Sequence, residues 1–123
     1  MGTIESYRDL RVWQRGMAIT ESVYRLTRAY PRDEQFGLTS QTRRAAVSVP
    51  ANIAEGYGRG TQQSYAAFLR IARGSLKELE THLLIAERVG LADHDDVAPI
   101  LIDTDQTGRM LGQLIRTLAQ PRP

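Results

Sequence analysis

Between residues 62 and 90 the apolar side chains fall at alternating intervals of four and three: Tyr65, Leu69, Ala72, Leu76, Leu79, Leu83 and Ala86. A strand would need alternation at every second residue, whereas steps of three and four lay one continuous stripe along a helix. So regular a stripe specifies a seam packed against neighbouring helices. Thr61 or Ser64 can cap the start of this helix, and Gly90 stops it.

Three further segments carry related spacing. From about 7 to 30, Leu10, Trp13, Met17 and Tyr24 repeat with Thr20 and Thr27 between or beside them. Pro31 pushes Tyr30 out of helical geometry, and Asp33 stands as an N-cap for a second segment over about 34–57. That segment holds Leu38, Ala45, Val49 and Ile53, with Ala46, Ala51 and Ala54 narrowing it for close packing. Pro50 interrupts it and predicts a kink near Val47 rather than two helices. Gly56, Gly58 and Gly60 then end it. Asp93, in the run Asp93-His94-Asp95-Asp96, opens a fourth segment over about 94–119 with Val97, Leu101, Thr104, Gly108, Leu111, Ile115 and Leu118 on one stripe. Those carboxylates suit a helix start, where they oppose the dipole and cap free amides, and Pro99 is tolerated in the first turns. Residues 120–123 are expected to fray.

No strand pattern, internal repeat or low-complexity tract appears. The prediction is an all-α, antiparallel up-down-up-down four-helix bundle in which residues 1–123 form a single domain, long enough for a core without metal or disulfide support. Several apolar residues lie off the main stripes: Val12, Ile19 and Leu26; Phe68, Ile71, Ile85 and Val89; Ile100 and Leu114. Second stripes of this kind are expected to become subunit contacts in a homo-oligomer, although a broad core-facing stripe accounts for some of them without one.

The chemistry is sparse. Without cysteine there is neither a disulfide nor a thiolate zinc site. A di-iron or di-manganese bundle needs Glu-x-x-His pairs, but leucine stands three residues before both His82 and His94. Glu78 and Glu80 point to different helix faces, so no carboxylate cluster for magnesium is expected. Gly56-Tyr57-Gly58-Arg59-Gly60-Thr61 has the glycines of a phosphate loop but follows a helix and lacks the Gly-Lys-Ser/Thr ending, so it is a helix-to-helix turn. No enzyme activity, cofactor, metal site or small-molecule substrate is predicted. With no secretory leader pattern and no apolar run of membrane length, a cytoplasmic location is expected.

Charge offers one constellation. The net charge is only +2, yet the cations are fifteen arginines and one lysine, Lys77. Guanidinium groups suit bidentate contact with phosphates and with carboxylates. Arg43 and Arg44 on the second helix, Arg59 in the turn and Arg70 and Arg73 on the third lie on consecutive elements. On one face they would track a phosphate backbone, with Tyr57 and Tyr65 as stacking surfaces and Arg59 placed for an anion at the third helix's start. The competing reading pairs them internally, for instance Arg59 with Glu55 one turn back. Asn52, polar within an apolar run, is expected to hydrogen-bond between helices.

Three blocks carry a family resemblance: Asp9-Leu10-Arg11-Val12-Trp13-Gln14, then Ser48-Val49-Pro50-Ala51-Asn52-Ile53-Ala54-Glu55-Gly56-Tyr57-Gly58-Arg59, then Phe68-Leu69-Arg70-Ile71-Ala72-Arg73-Gly74-Ser75-Leu76-Lys77-Glu78-Leu79-Glu80. In order and spacing the chain resembles the four-helix bundle proteins encoded by 23S ribosomal RNA intervening sequences, with Ala51 where that family often has serine. The resemblance implies a homopentamer with no known enzymatic activity or cofactor. A similar bundle is the accessory protein of diversity-generating retroelements, a basic pentamer that binds nucleic acid and a reverse transcriptase. Two functions follow as expectations: an oligomer binding structured RNA or DNA through Arg43, Arg44, Arg59, Arg70 and Arg73, or a protein-protein interaction scaffold.

Overall fold

A computed structural model describes residues 3–120. It begins with a short 3-10 turn, Tyr7–Asp9, closed by a capping box: the Ser6 hydroxyl accepts from the Arg8 amide at 3.1 Å, and the Asp9 carboxylate accepts from the Ser6 amide at 3.1 Å. Four helices follow, α1 Arg11–Thr27, α2 Leu38–Gly58, α3 Gln62–Arg88 and α4 His94–Ala119, and no strand is present among the described residues. The expected fraying at 121–123 lies outside the described residues.

Each helix packs against the next, and α1 packs against α4, while the backbones of the diagonal pairs stay farther apart. Contacts fix the directions. Thr20 meets Ala46 and Thr27 meets Arg43, so α2 runs back along α1. Ser48 meets Ser75, α4 returns along α3 with Thr104 against Glu80, and Arg15 of α1 reaches Gln106 and Thr107 of α4. The four-helix bundle is as expected, with helices in chain order around it.

The third stripe is the core as read from the sequence: Leu69, Ala72, Leu76, Leu79, Leu83 and Ala86 are buried, and Tyr65 packs against them. The stripe of α1 differs. Val12, Gly16, Ile19, Val23 and Thr27 face inward, while Met17 and Tyr24 stand at the surface. Leu10 lies outside α1 in extended backbone, so the helical phase restarts at Arg11. Val12, Ile19 and Ile100, expected as subunit contacts, are core residues, and Leu26 and Leu114 pack against that core. Of the off-seam set only Ile71, Ile85 and Val89 remain exposed, at 51%, 43% and 63%, on α3 and at its C-cap.

The connections also differ. α1 ends at Thr27 and closes through shorter-range bonds, Ala29 N–H to Leu26 C=O and Tyr30 N–H to Thr27 C=O. Arg32–Glu34 form a separate 3-10 turn, and Gly37, not Asp33, occupies the N-cap of α2. Glu34 substitutes for a capping side chain by accepting from the Leu38 amide at 3.1 Å. Thr61 caps α3, accepting from the Ser64 amide at 3.1 Å. Asp93 sits at the N-cap of α4 but makes no side-chain capping bond, so its contribution there is charge against the helix dipole. Gly60 and Gly90 adopt positive φ, 86° and 82°, at the turns after α2 and α3.

α2 runs unbroken through Pro50. Proline removes the amide that would bond to the Ala46 carbonyl. The Thr20 hydroxyl of α1 lies 3.1 Å from that carbonyl and 2.8 Å from the Gly16 carbonyl of its own helix, sharing one proton between them. Gly16 makes room for the arrangement: a methyl there would sit 3.3 Å from the Pro50 ring and from Val49. Similarly, Gly56 lets α2 lie against the start of α3, where a methyl would be 2.6 Å from Phe68 Cβ. Between these points the Ser48 and Ser75 hydroxyls bond at 2.8 Å across α2 and α3. Asn52 donates to the Ser48 hydroxyl and carbonyl, both at 2.8 Å, so it supports the interhelical bond from within α2 rather than making one itself.

Candidate nucleic-acid interface

The five arginines singled out from the sequence do not share one groove. Arg43 leans across α1: its Nε donates to the Thr27 hydroxyl at 2.8 Å and its guanidinium lies 4.6 Å from the centre of the Tyr24 ring. That cation–π contact and hydrogen bond commit it to the α1–α2 surface. Arg44, one residue on, is exposed and lines the same groove with Ser40, Gln35 and Val47.

Arg59 sits at the end of α2. It pairs with Glu55 at 3.2 Å, as the internal-pairing reading expects, and its guanidinium stacks 5.0 Å from the Phe68 ring centre. Both partners of the ion pair are half-exposed, so the pair contributes only a few tenths of a kcal/mol, ~0.3–0.5. Thr61 caps the start of α3 through the Ser64 amide, and Arg59 is engaged within the fold by Glu55 and Phe68. Tyr57 and Tyr65 pack edge to face, with centres 5.8 Å apart, rather than offering parallel faces to a ligand. Arg70 is exposed on α3.

Arg73 lies on the other side of the bundle, in the α3–α4 groove, where it joins cations that sequence reading passed over. Lys77, Arg109 and Arg116 line that groove with Asp105. Lys77 pairs with Glu80 at 3.2 Å and Arg109 with Asp105 at 3.1 Å. Gly108 and Gly112, one turn apart on α4, leave the floor low. A methyl on Gly112 would lie 3.5 Å from Nη1 of both Arg73 and Arg116. The antiparallel return of α4 brings these two together. The signal available in the sequence was Gly108 and Gly112 at a spacing of four, opposite the basic end of the third helix.

Among the described residues no three His, Asp or Glu side chains are grouped to hold a metal ion, and no helix is long and apolar enough to cross a membrane. Glu87 lies near His94, at 3.3 Å, and Glu80 accepts from the Thr104 hydroxyl at 2.8 Å. Two phenols are perturbed. Burial pushes Tyr30 above the usual phenol range, and burial followed by the neighbouring Tyr57 does the same for Tyr65.

No curated protein matches the chain. A crystal structure from Bacteroides thetaiotaomicron, of a protein with unknown function from the S23 ribosomal protein family, superposes with a TM-score of 0.79 at 20% identity. It covers 85% of this chain and 98% of its own, a likeness of fold. The model of the 23S rRNA-intervening sequence proteins matches residues 8–113, which takes in α1, α2, α3 and most of α4. The chain therefore belongs to the 23S rRNA-intervening sequence protein family.

Proposed function

We propose that this chain is a non-enzymatic, oligomeric bundle protein that binds structured RNA or DNA through its arginine-rich surface in the cytoplasm. The observation that carries the reading is the α3–α4 groove, where Arg73 and Arg116 approach one another with no carboxylate partner among the described residues while their neighbours Lys77 and Arg109 each have one. Cations left over from internal pairing are the ones free to replace counterions on a phosphate backbone. Arg70, exposed one turn before Arg73 on α3, adds to the same field; Arg44 is exposed in the separate α1–α2 groove, and Arg43 and Arg59 are held by their own fold and contribute mainly to its shape.

The test is fluorescence anisotropy with a labelled RNA hairpin and a DNA duplex at about 50 and 200 mM salt, with light scattering on the same sample. Several phosphate contacts predict a loss of at least tenfold, roughly, over that range. Absence of binding at the lower salt, or affinity indifferent to salt, refutes the reading, and a clean monomer refutes its oligomeric half. The second reading, a scaffold for another protein, is favoured by Ile71, Ile85 and Val89 standing exposed on α3. It predicts a partner retained at high salt and lost on I71E or I85E.

A further inference from the structure

We propose that Arg73 and Arg116, converging over Gly112 in the α3–α4 groove, form a discrete two-guanidinium site for a single phosphate group. The two Nη1 atoms stand equally far, 3.5 Å, from the point where a side chain on Gly112 would begin. That point is bare because residue 112 is glycine, and Gly108 extends the clearing by one turn. Both guanidinium groups therefore border one clearing, and a guanidinium donates in a planar fork matched to phosphate.

Electrostatics favours an anion there. Two like charges brought together repel, and the usual remedy within a protein is a carboxylate between them. The groove's carboxylate, Asp105, bonds to Arg109, and Glu80 bonds to Lys77 and Thr104. Neither reaches Arg73 or Arg116 within salt-bridge distance. The last turn of α4 accounts for a cation at position 116, since the negative end of the dipole lies there. It does not account for Arg73 crossing from α3 to meet it. Lys77 and Arg109 are each neutralised by a carboxylate, which leaves the net positive charge of the groove on Arg73 and Arg116.

The phosphate has two sources, a diester in a nucleic-acid strand or a free phosphate ion, and in its first form the site rests on the nucleic-acid reading above. Three variants of the full chain test it. R73Q/R116Q removes the fork. R73K/R116K keeps both charges but not the planar geometry. G112A fills the floor, meets no atom closer than 3.5 Å, and is expected to melt no lower than the wild type because alanine favours a helix.

Each is titrated with a labelled RNA hairpin at several salt concentrations, and separately with inorganic phosphate followed by amide and guanidinium NMR shifts. The expectation is RNA binding weakened about three- to tenfold by all three variants, with the salt slope reduced by about one in R73Q/R116Q. RNA binding that R73K/R116K and G112A leave intact would overturn the site while sparing the nucleic-acid reading. No RNA binding, but saturable phosphate shifts at residues 73, 112 and 116 that G112A abolishes, would establish a free-phosphate site and refute the strand. Neither response would overturn both.

Discussion

Replacing Thr20 by valine keeps the side chain's shape and β-branching but deletes the hydroxyl that stands in for the missing Pro50 amide. The Ala46 carbonyl then has no donor. Leaving a buried acceptor unpaired costs about 1–3 kcal/mol. Here the lower half of that range applies, about 1–2 kcal/mol, because Thr20 is half-buried and its proton is shared with the nearer Gly16 carbonyl. The decisive measurement is a double-mutant cycle with P50A. Alanine at position 50 restores the amide that bonds Ala46 within α2, so the hydroxyl becomes dispensable, and T20V in that background is expected to cost under about 0.5 kcal/mol. Urea unfolding followed by circular dichroism gives the four stabilities, and T20S, which keeps the hydroxyl, serves as the control. A coupling of about 1 kcal/mol between the two sites is expected. Equal costs of T20V in the wild-type and P50A backgrounds would refute the argument that one helix repairs the other.

Three shorter predictions follow from packing, capping and ionisation. G56A drives a methyl to 2.6 Å from Phe68 Cβ, a cost of about 1–3 kcal/mol for overpacking partly offset by about 1 kcal/mol of helix propensity; thermal melts should place it below G58A, whose methyl meets nothing within 4 Å. T61A removes the α3 cap and should lower stability by about 1 kcal/mol in urea titrations, with T61S restoring most of it. Tyr30 and Tyr65 have folded-state pKa values raised above the unfolded value near 10, so their contribution is intact below about pH 10 and is lost as pH rises further, because the unfolded chain releases the protons first. Y30F/Y65F should therefore unfold at a higher alkaline pH than the wild type, and an unchanged alkaline midpoint would count against it.

The sequence made α3 legible because every seam position carries an apolar residue over the whole length, from Leu69 to Ala86. It misled on α1 for a physical reason: the inward stripe passes through Gly16, which carries no hydrophobic signal, while Met17 and Tyr24 advertise the wrong face. The 3-10 turn at Tyr7–Asp9 and the extended Leu10 also shift the helical phase. The start of α2 was misplaced because a carboxylate four residues upstream, Glu34, supplies the cap from outside the helix. For the candidate site, Arg73 was identifiable but Arg116 was not. Arg116 gains its partner only from the return of α4, and the spacing of Gly108 and Gly112 marks a low floor without saying which cation, more than forty residues away in the chain, would cross it.

The Ser48–Ser75 bond has a consequence for alignment. Along α3 the seam nearly repeats itself every seven residues, Leu69 with Leu76 and Leu83, and Ala72 or Leu79 with Ala86. An apolar ladder of that kind tolerates slippage by two turns, since leucine then replaces leucine. The serine pair does not. A slip of seven residues either way would set Phe68 or His82 opposite Ser48 and strand the hydroxyl that Asn52 now steadies. A small polar clasp thus serves as the vernier of an otherwise repetitive hairpin, rejecting near-miss pairings that greasy contacts alone would accept.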